Sequence, residues 1–207
     1  MINPPPRKRI TPLSVERRLQ LLTATLEKAP DASRIRIFAY GSLMWSPCFE
    51  FTVRLPGTLK GFRREFCIWS VHARGTPENP GLGLALEKEA GAHCDGMIFS
   101  LPHETAEEEL IPLWEREMWT DTYTPTWVHV DVDGERVAAL TFVVSKTHHN
   151  YVGEISLSEK ARYIANGSGK YGRCYDYLFE TVQIMRDQGI VDTDMEGLLA
   201  AVDAVVS

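Results

Sequence analysis

The sequence predicts an α+β protein, and three observations carry that expectation. They are a strand over residues 35–43 followed by a β-rich region over residues 54–101, a β-branched hairpin over residues 126–144, and helical periodicity before, between and after them. The rest of the chain is arranged around Ile35 to Leu43, Ile-Arg-Ile-Phe-Ala-Tyr-Gly-Ser-Leu. Its apolar and aromatic alternation reads as a strand with at least one covered face. Gly41 relaxes the steric limits on the backbone, so the N–H groups of Gly41, Ser42 and Leu43 can turn toward a common point that suits a carboxylate or a developing oxyanion. A strand that simply ends at a glycine is the plainer reading of the same residues.

Residues 1–10 are basic and proline-rich and read as a loosely held arm. From residue 14 to about residue 28, Val15, Leu19, Leu22 and Leu26 recur at helical spacing, and Pro30 ends a helix expected on the outside of the domain. After the first strand, further strands are expected near residues 58–62, 66–70, 82–87 and 95–101. Among them lies Arg74-Gly75-Thr76-Pro77-Glu78-Asn79-Pro80-Gly81, which Pro and Gly keep out of regular structure. Such a connection is either functional or a plain surface loop.

Residues 102–118 read as a helix in which Leu110, Leu113, Trp114 and Glu117 share a face. That phase turns the Glu117 carboxylate inward, where burial raises its pKa toward the range of a general base and acid. The competing reading is a solvated run of ion pairs through Glu115 and Arg116, or a helix broken at Pro112. Asp133-Gly134 between β-branched runs predicts a hairpin with a type I′ turn. The last third is helical. Ser156-Leu157-Ser158-Glu159 has capping-box spacing and Gly167 stops the helix it opens. A second helix runs from about residue 175 to residue 188, with Tyr175, Leu178, Phe179, Val182 and Met185 on one face. Thr193-Asp194-Met195-Glu196 caps a closing helix.

The 207 residues suit one domain, residues 34–207, preceded by an arm and helix over residues 1–33. A net charge of −6 argues against nucleic acid or an anionic membrane as partner. No apolar run approaches the ~18 residues of a membrane span, and the amino terminus lacks the apolar core of a signal peptide, so a cytoplasmic protein is expected. Cys48, Cys67, Cys94 and Cys174 form no Cys-x-x-Cys pair, which leaves reduced thiols and no zinc ribbon. His148-His149 is the one adjacent histidine pair, and neighbours on a strand point apart, so a shared metal is not expected. Asn166-Gly167-Ser168-Gly169-Lys170 has neither the spacing nor the following Ser or Thr of a nucleotide-binding loop. Cys48 with His72 as base is a weaker nucleophile candidate, because nothing in the sequence orients the pair.

Four motifs occur in order: Phe-x-Tyr-Gly-Ser-Leu at Phe38 to Leu43, Arg-Gly-Thr-Pro-Glu-x-Pro-Gly at Arg74 to Gly81, Arg-Glu at Arg116 to Glu117, and Tyr-Leu-Phe-Glu at Tyr177 to Glu180. Together they resemble the ChaC family of glutathione-specific γ-glutamylcyclotransferases, over about residues 36–202. The resemblance implies a small closed or nearly closed β-barrel with helices packed around it. It also implies a substrate-binding turn at Tyr40, Gly41, Ser42 and Leu43, with Glu117 as proton acceptor, and Phe38 and Ala39 lead into that turn as further site residues. On chemical grounds the hydroxyls of Tyr40 and Tyr177 and the loop residue Arg74 are candidate substrate contacts, and aromatic packing with a satisfied hydroxyl is the plainer reading of the tyrosines. Ala39 stands where the family commonly has Gly, and Met118-Trp119-Thr120 replaces the usual short glycine turn.

The implied reaction needs no metal and no organic cofactor. The substrate's own α-amine closes on its side-chain carbonyl to give 5-oxoproline, so the protein must supply only near-attack geometry, a base and oxyanion donors. The expected partner is therefore a small molecule, glutathione. The alternatives are another γ-glutamyl amine or dipeptide as substrate, or a non-catalytic γ-glutamyl or anion-binding module.

Overall fold

The computed structural model describes residues 5–6 and 11–206, so the arm expected over residues 1–10 falls outside it apart from Pro5 and Pro6. The strands β1 (Arg36–Ala39), β2 (Val53–Ser70), β3 (Gly81–Ser100), β4 (Tyr123–Val132) and β5 (Glu135–Val144) close into a barrel in the order β1-β3-β2-β4-β5. β1 lies antiparallel to β3, with Arg36 opposite Ser100 and Ala39 opposite Met97, and parallel to β5 through Ile37 and Leu140. Paired on both sides, it presents no open edge. Phe38 joins Leu59, Leu86, Ile98, Val130 and Ala139 in the barrel core, and Ile37 and Ala39 on its other face are buried too.

The chain divides into two compact units, one of Thr11–Arg64 with Leu86–Ser145, the other built on Glu65–Ala85 and the chain from Lys146 onward. In the first, two features depart from expectation. The four strands expected between residues 58 and 101 are two long ones, bent at Gly61 and Gly91, whose φ of 81° and 82° suit glycine. The charged residues that look like breaks in the sequence instead pair across the sheet. Arg63 Nη2 lies 3.2 Å from the buried Glu87 carboxylate and its Nε 2.6 Å from Glu89, so neutralisation keeps them in the ladder. The second departure is in α1 (Val15–Leu26), capped by the Ser14 side chain. It packs through Leu22 and Thr25, while Val15 and Leu19 face solvent, so the expected stripe is rotated. Trp127 holds it there by donating from Nε1 to the Thr25 carbonyl at 2.9 Å.

α2 (Ala106–Glu117) runs unbroken through Pro112, which lies on the exposed side. Leu110, Leu113 and Trp114 are buried, and Trp114 meets Phe142 of β5 edge-on at 5.6 Å. This packing fixes the helix phase that places Glu117. Asp133 (φ 49°) and Gly134 (φ 84°) make the expected hairpin turn, with Val132 opposite Glu135.

The second unit contains α3 (Leu157–Asn166), a short hairpin of β6 (Ser168–Gly169) and β7 (Gly172–Arg173), α4 (Cys174–Asp187) and α5 (Thr193–Val206). The capping box at Ser156 and Glu159 is complete. Gly167 follows α3 with an ordinary φ of −68°, so its lack of a side chain serves closeness and not a left-handed turn. A Cβ there would meet Gly81 Cα at 2.6 Å and Arg74 O at 2.8 Å. Gly75 and Gly169 meet backbone just as closely, so the Arg74–Gly81 loop and the β6–β7 hairpin are seated on each other by facing glycines. α5 is capped by Asp192, whose carboxylate accepts from Met195 N at 3.1 Å, and not by Thr193 as the sequence suggests. On α4 the buried line is Cys174, Leu178, Thr181, Val182 and Met185; Phe179 is exposed and stacks on Tyr175.

Candidate active site

Directly after β1, Gly41 (φ −142°, ψ −135°) turns the chain into one 3-10 turn, Ser42–Met44. Met44 N donates to Gly41 O at 2.8 Å, and Trp45 N and Ser46 N donate to Ser42 O. Like the opening of any helical turn, this leaves the first amides over. Among the described residues the N–H groups of Gly41, Ser42 and Leu43 donate to no protein acceptor. Gly41 and Leu43 are buried, so these donors are costly unless a bound anion or water takes them.

Three guanidinium groups donate to other acceptors of the same turn. Arg64 Nη1 donates to Tyr40 O at 2.8 Å and Arg54 Nη2 to Met44 O at 3.1 Å. Arg116 donates from Nη1 to Ser46 O and from Nη2 to Ser42 Oγ, both at 2.6 Å.

Arg116 also brings in the carboxylate. Its Nε lies 3.4 Å from Glu117 Oε1, so one guanidinium spans the acid, the Ser42 hydroxyl and the Ser46 carbonyl. The Glu117 side chain is 16% exposed. Burial pushes its pKa up, and the neighbouring Arg116 pulls it part of the way back. The result is a carboxylate tethered to the donor-rich turn, with a proton affinity above that of an ordinary glutamate.

Phe38 lies in the barrel core and Ala39 is buried on the other face of β1. The Tyr40 hydroxyl donates to Phe142 O at 2.9 Å, and its ring packs against the core cluster. In the other unit, Arg74 and Tyr177 are brought together with each other. The Arg74 guanidinium lies 5.1 Å above the Tyr177 ring and donates to Tyr171 O at 2.5 Å and Arg173 O at 3.3 Å. Phe66 packs against the same Tyr177 ring, edge-on at 5.8 Å.

Cys48 and Cys174 are poor nucleophiles. Burial raises the Cys48 thiol despite Arg116 nearby, and it pushes Cys174 up to about 12. Among the described residues no cluster of three or more His, Cys, Asp or Glu side chains is arranged to hold a metal ion. Nor is any helix among them long and apolar enough to cross a membrane. Sequence reasoning missed Arg54 and Arg64 at the turn, and it named Arg116 only as the neighbour of Glu117. The one available signal is Arg63-Arg64, a charged pair between apolar strand segments.

A family model described as ChaC-like protein matches residues 35–205, from the residue before β1 through most of α5, and leaves α1 outside. The glutathione-specific gamma-glutamylcyclotransferase of Escherichia coli (strain K12) is 40% identical over 195 residues, 94% of this chain and 84% of that one. Gamma-glutamylcyclotransferase 2-3 of Arabidopsis thaliana is 30% identical over 178 residues, 83% of this chain and 89% of that one. The crystal structure of a selenomethionine-labelled gamma-glutamyl cyclotransferase specific to glutathione from yeast has a TM-score of 0.76 at 25% identity, covering 83% of this chain and 96% of that one. With the barrel, the Tyr-Gly-Ser turn and the tethered glutamate on one framework, and with this extent of likeness, the chain belongs to the ChaC family.

Proposed function

We propose that this chain cleaves glutathione to 5-oxoproline and cysteinylglycine, with Glu117 acting first as base and then as acid. The observation that carries this reading is the Glu117 carboxylate, tethered through Arg116 to a turn whose leading amides have no protein acceptor among the described residues. The names borne by the E. coli and yeast relatives support glutathione as substrate.

The chemistry follows from the groups present. Glu117 accepts a proton from the substrate's α-ammonium, and the freed amine attacks the γ-carbonyl carbon to close a five-membered ring. Holding both ends of one molecule in contact captures an intramolecular advantage, so the protein supplies no nucleophile of its own. The amides of Gly41, Ser42 and Leu43 provide the donors that the α-carboxylate and the tetrahedral oxyanion require. As the intermediate collapses, the bond to the cysteine nitrogen breaks and Glu117 returns its proton to that leaving amine; the second proton lost by the ring nitrogen also ends on the released amine, which leaves as an ammonium while the lactam keeps one N–H. Water is neither consumed nor released. A raised pKa serves the accepting half of this cycle, because a strongly acidic carboxyl takes and holds the proton of an ammonium poorly. A cytosolic setting fits the reading, since none of the four cysteines is in a disulfide.

Incubating the purified protein with glutathione and a panel of other γ-glutamyl amides, with 5-oxoproline measured by mass spectrometry, tests the assignment. Glutathione is expected to give the highest kcat/KM. A preference for another γ-glutamyl amine moves the substrate assignment to that compound, and no 5-oxoproline from any of them overturns the reaction.

A pH prediction follows from the opposing influences on Glu117. Activity needs the ionised base and so rises as pH passes its pKa. Arg116 lowers that pKa, so Arg116→Met should move the acid limb of kcat/KM to higher pH, whereas Arg116→Lys should stay nearer the wild-type position. An unmoved limb in Arg116→Met means that the limb does not report Glu117.

A further inference from the structure

We propose that Arg64 is a positioning residue for this reaction, and that from its buried place on β2 it aims the Gly41 N–H toward the substrate. The proposal rests on the cyclotransferase reading of the turn. Its basis is the geometry of one peptide group. A trans peptide is planar, with its C=O and N–H pointing in opposite directions, so whatever holds the Tyr40 carbonyl also sets the direction of the Gly41 N–H. Arg64 holds that carbonyl at 2.8 Å through Nη1. Through Nη2 it also donates to the carbonyl of Asp95 on β3. One rigid fork thus ties the turn to the neighbouring strand, a two-point hold that a guanidinium provides and an ammonium does not.

The surroundings are built for that span. Gly96, next to Asp95, lies so close to the end of β1 that a Cβ there would meet Ala39 O at 2.3 Å. Tyr40 is fixed at its other end by the hydrogen bond from its hydroxyl to Phe142 O, and Thr141 Oγ1 donates to Phe38 O at 3.0 Å. The residue before Gly41 is therefore anchored to β3 through its carbonyl and to β5 through its ring. Arg64 itself is only 5% exposed. A buried guanidinium is expensive, and an apolar side chain would fill the same space at lower cost. Directing a catalytic amide accounts for its presence.

Arg64→Met and Arg64→Lys, assayed for kcat, KM and pH dependence and inspected for the Gly41 amide resonance in a ¹⁵N–¹H spectrum, test this. In Arg64→Met, with circular dichroism unchanged, kcat/KM should fall about 10²-fold, the scale of one lost oxyanion donor. The acid limb set by Glu117 should stay in place while the Gly41 resonance moves, and Arg64→Lys should recover part of the loss. A folded Arg64→Met with kcat/KM within about twofold of wild type overturns the proposal, as does an unmoved Gly41 resonance. If Arg64→Met does not fold, Arg64→Lys decides: lowered kcat with a shifted Gly41 resonance supports the role, and wild-type values of both overturn it. If the wild-type chain makes no 5-oxoproline, the reaction assignment fails separately, and the Gly41 resonance alone then judges Arg64.

Discussion

Glu117→Gln is expected to lower 5-oxoproline formation by about 10³-fold, the middle of the range for a lost general acid–base group. Gln keeps the shape of Glu and an oxygen that accepts from Arg116, but it has no useful basicity, so the α-ammonium keeps its proton and the amine cannot attack. The substitution should not harm the fold, and the sign of the pKa shift says why. Burial raises the folded-state pKa of Glu117 above its unfolded value, so its contribution to stability is present at low pH and is lost as pH rises through the folded pKa. Above that point the ionised group opposes folding. Glu117→Gln should therefore melt at the wild-type temperature or higher at pH 8, and at or below it at pH 4. Lost turnover with retained melting temperature supports the role as base. Full turnover in the same variant removes Glu117 from the mechanism.

Gly75→Ala is expected to be the most damaging small substitution in the second unit. The added Cβ would stand 2.2 Å from Gly81 N and 2.3 Å from Ser70 O. Both are backbone atoms, so no rotamer relieves the contact, and either the loop or the end of β2 must move. A cost of about 3 kcal/mol is reasonable for overpacking of this kind, which corresponds to a fall of roughly 6–12 °C in melting temperature for a chain of this size. Gly197→Ala on α5 is the matched control. Nothing lies within 4 Å of the point where its Cβ would stand, and an alanine there should be neutral or stabilise the helix by up to about 1 kcal/mol. Equal melting temperatures for the two variants would contradict the account of the loop as held by facing glycines.

The parts of this molecule that are legible in the sequence are those set by neighbours in the chain. The Asp133-Gly134 turn, the capping box at Ser156 and the phase of α2 each depend on residues within a few positions, and each stands as expected. Legibility fails where a distant partner decides. Arg63 looks like a strand break until Glu87 and Glu89 appear across the sheet. Val15 and Leu19 share a helical stripe with Leu22, yet the packing of α1 buries Thr25 in their place. The candidate site divides along the same line. Its two named ends, the Gly41 turn and Glu117, carry local signals. Their connection does not, because Arg116 and Ser42 are 74 residues apart and Arg64 and Tyr40 are 24 apart. Gly167 does end α3, but for a reason the sequence hides, since the backbone of Gly81, and not a left-handed φ, excludes a side chain there.

The central claim is that the substrate's own amine displaces the leaving group, with no water molecule entering the product. Turnover of glutathione in water enriched in ¹⁸O, with the first-formed product caught by mass spectrometry, tests it directly. The account predicts 5-oxoproline carrying no ¹⁸O, at the same yield as cysteinylglycine. Glutamate labelled in its γ-carboxylate would show that water, and not the α-amine, attacks the carbonyl.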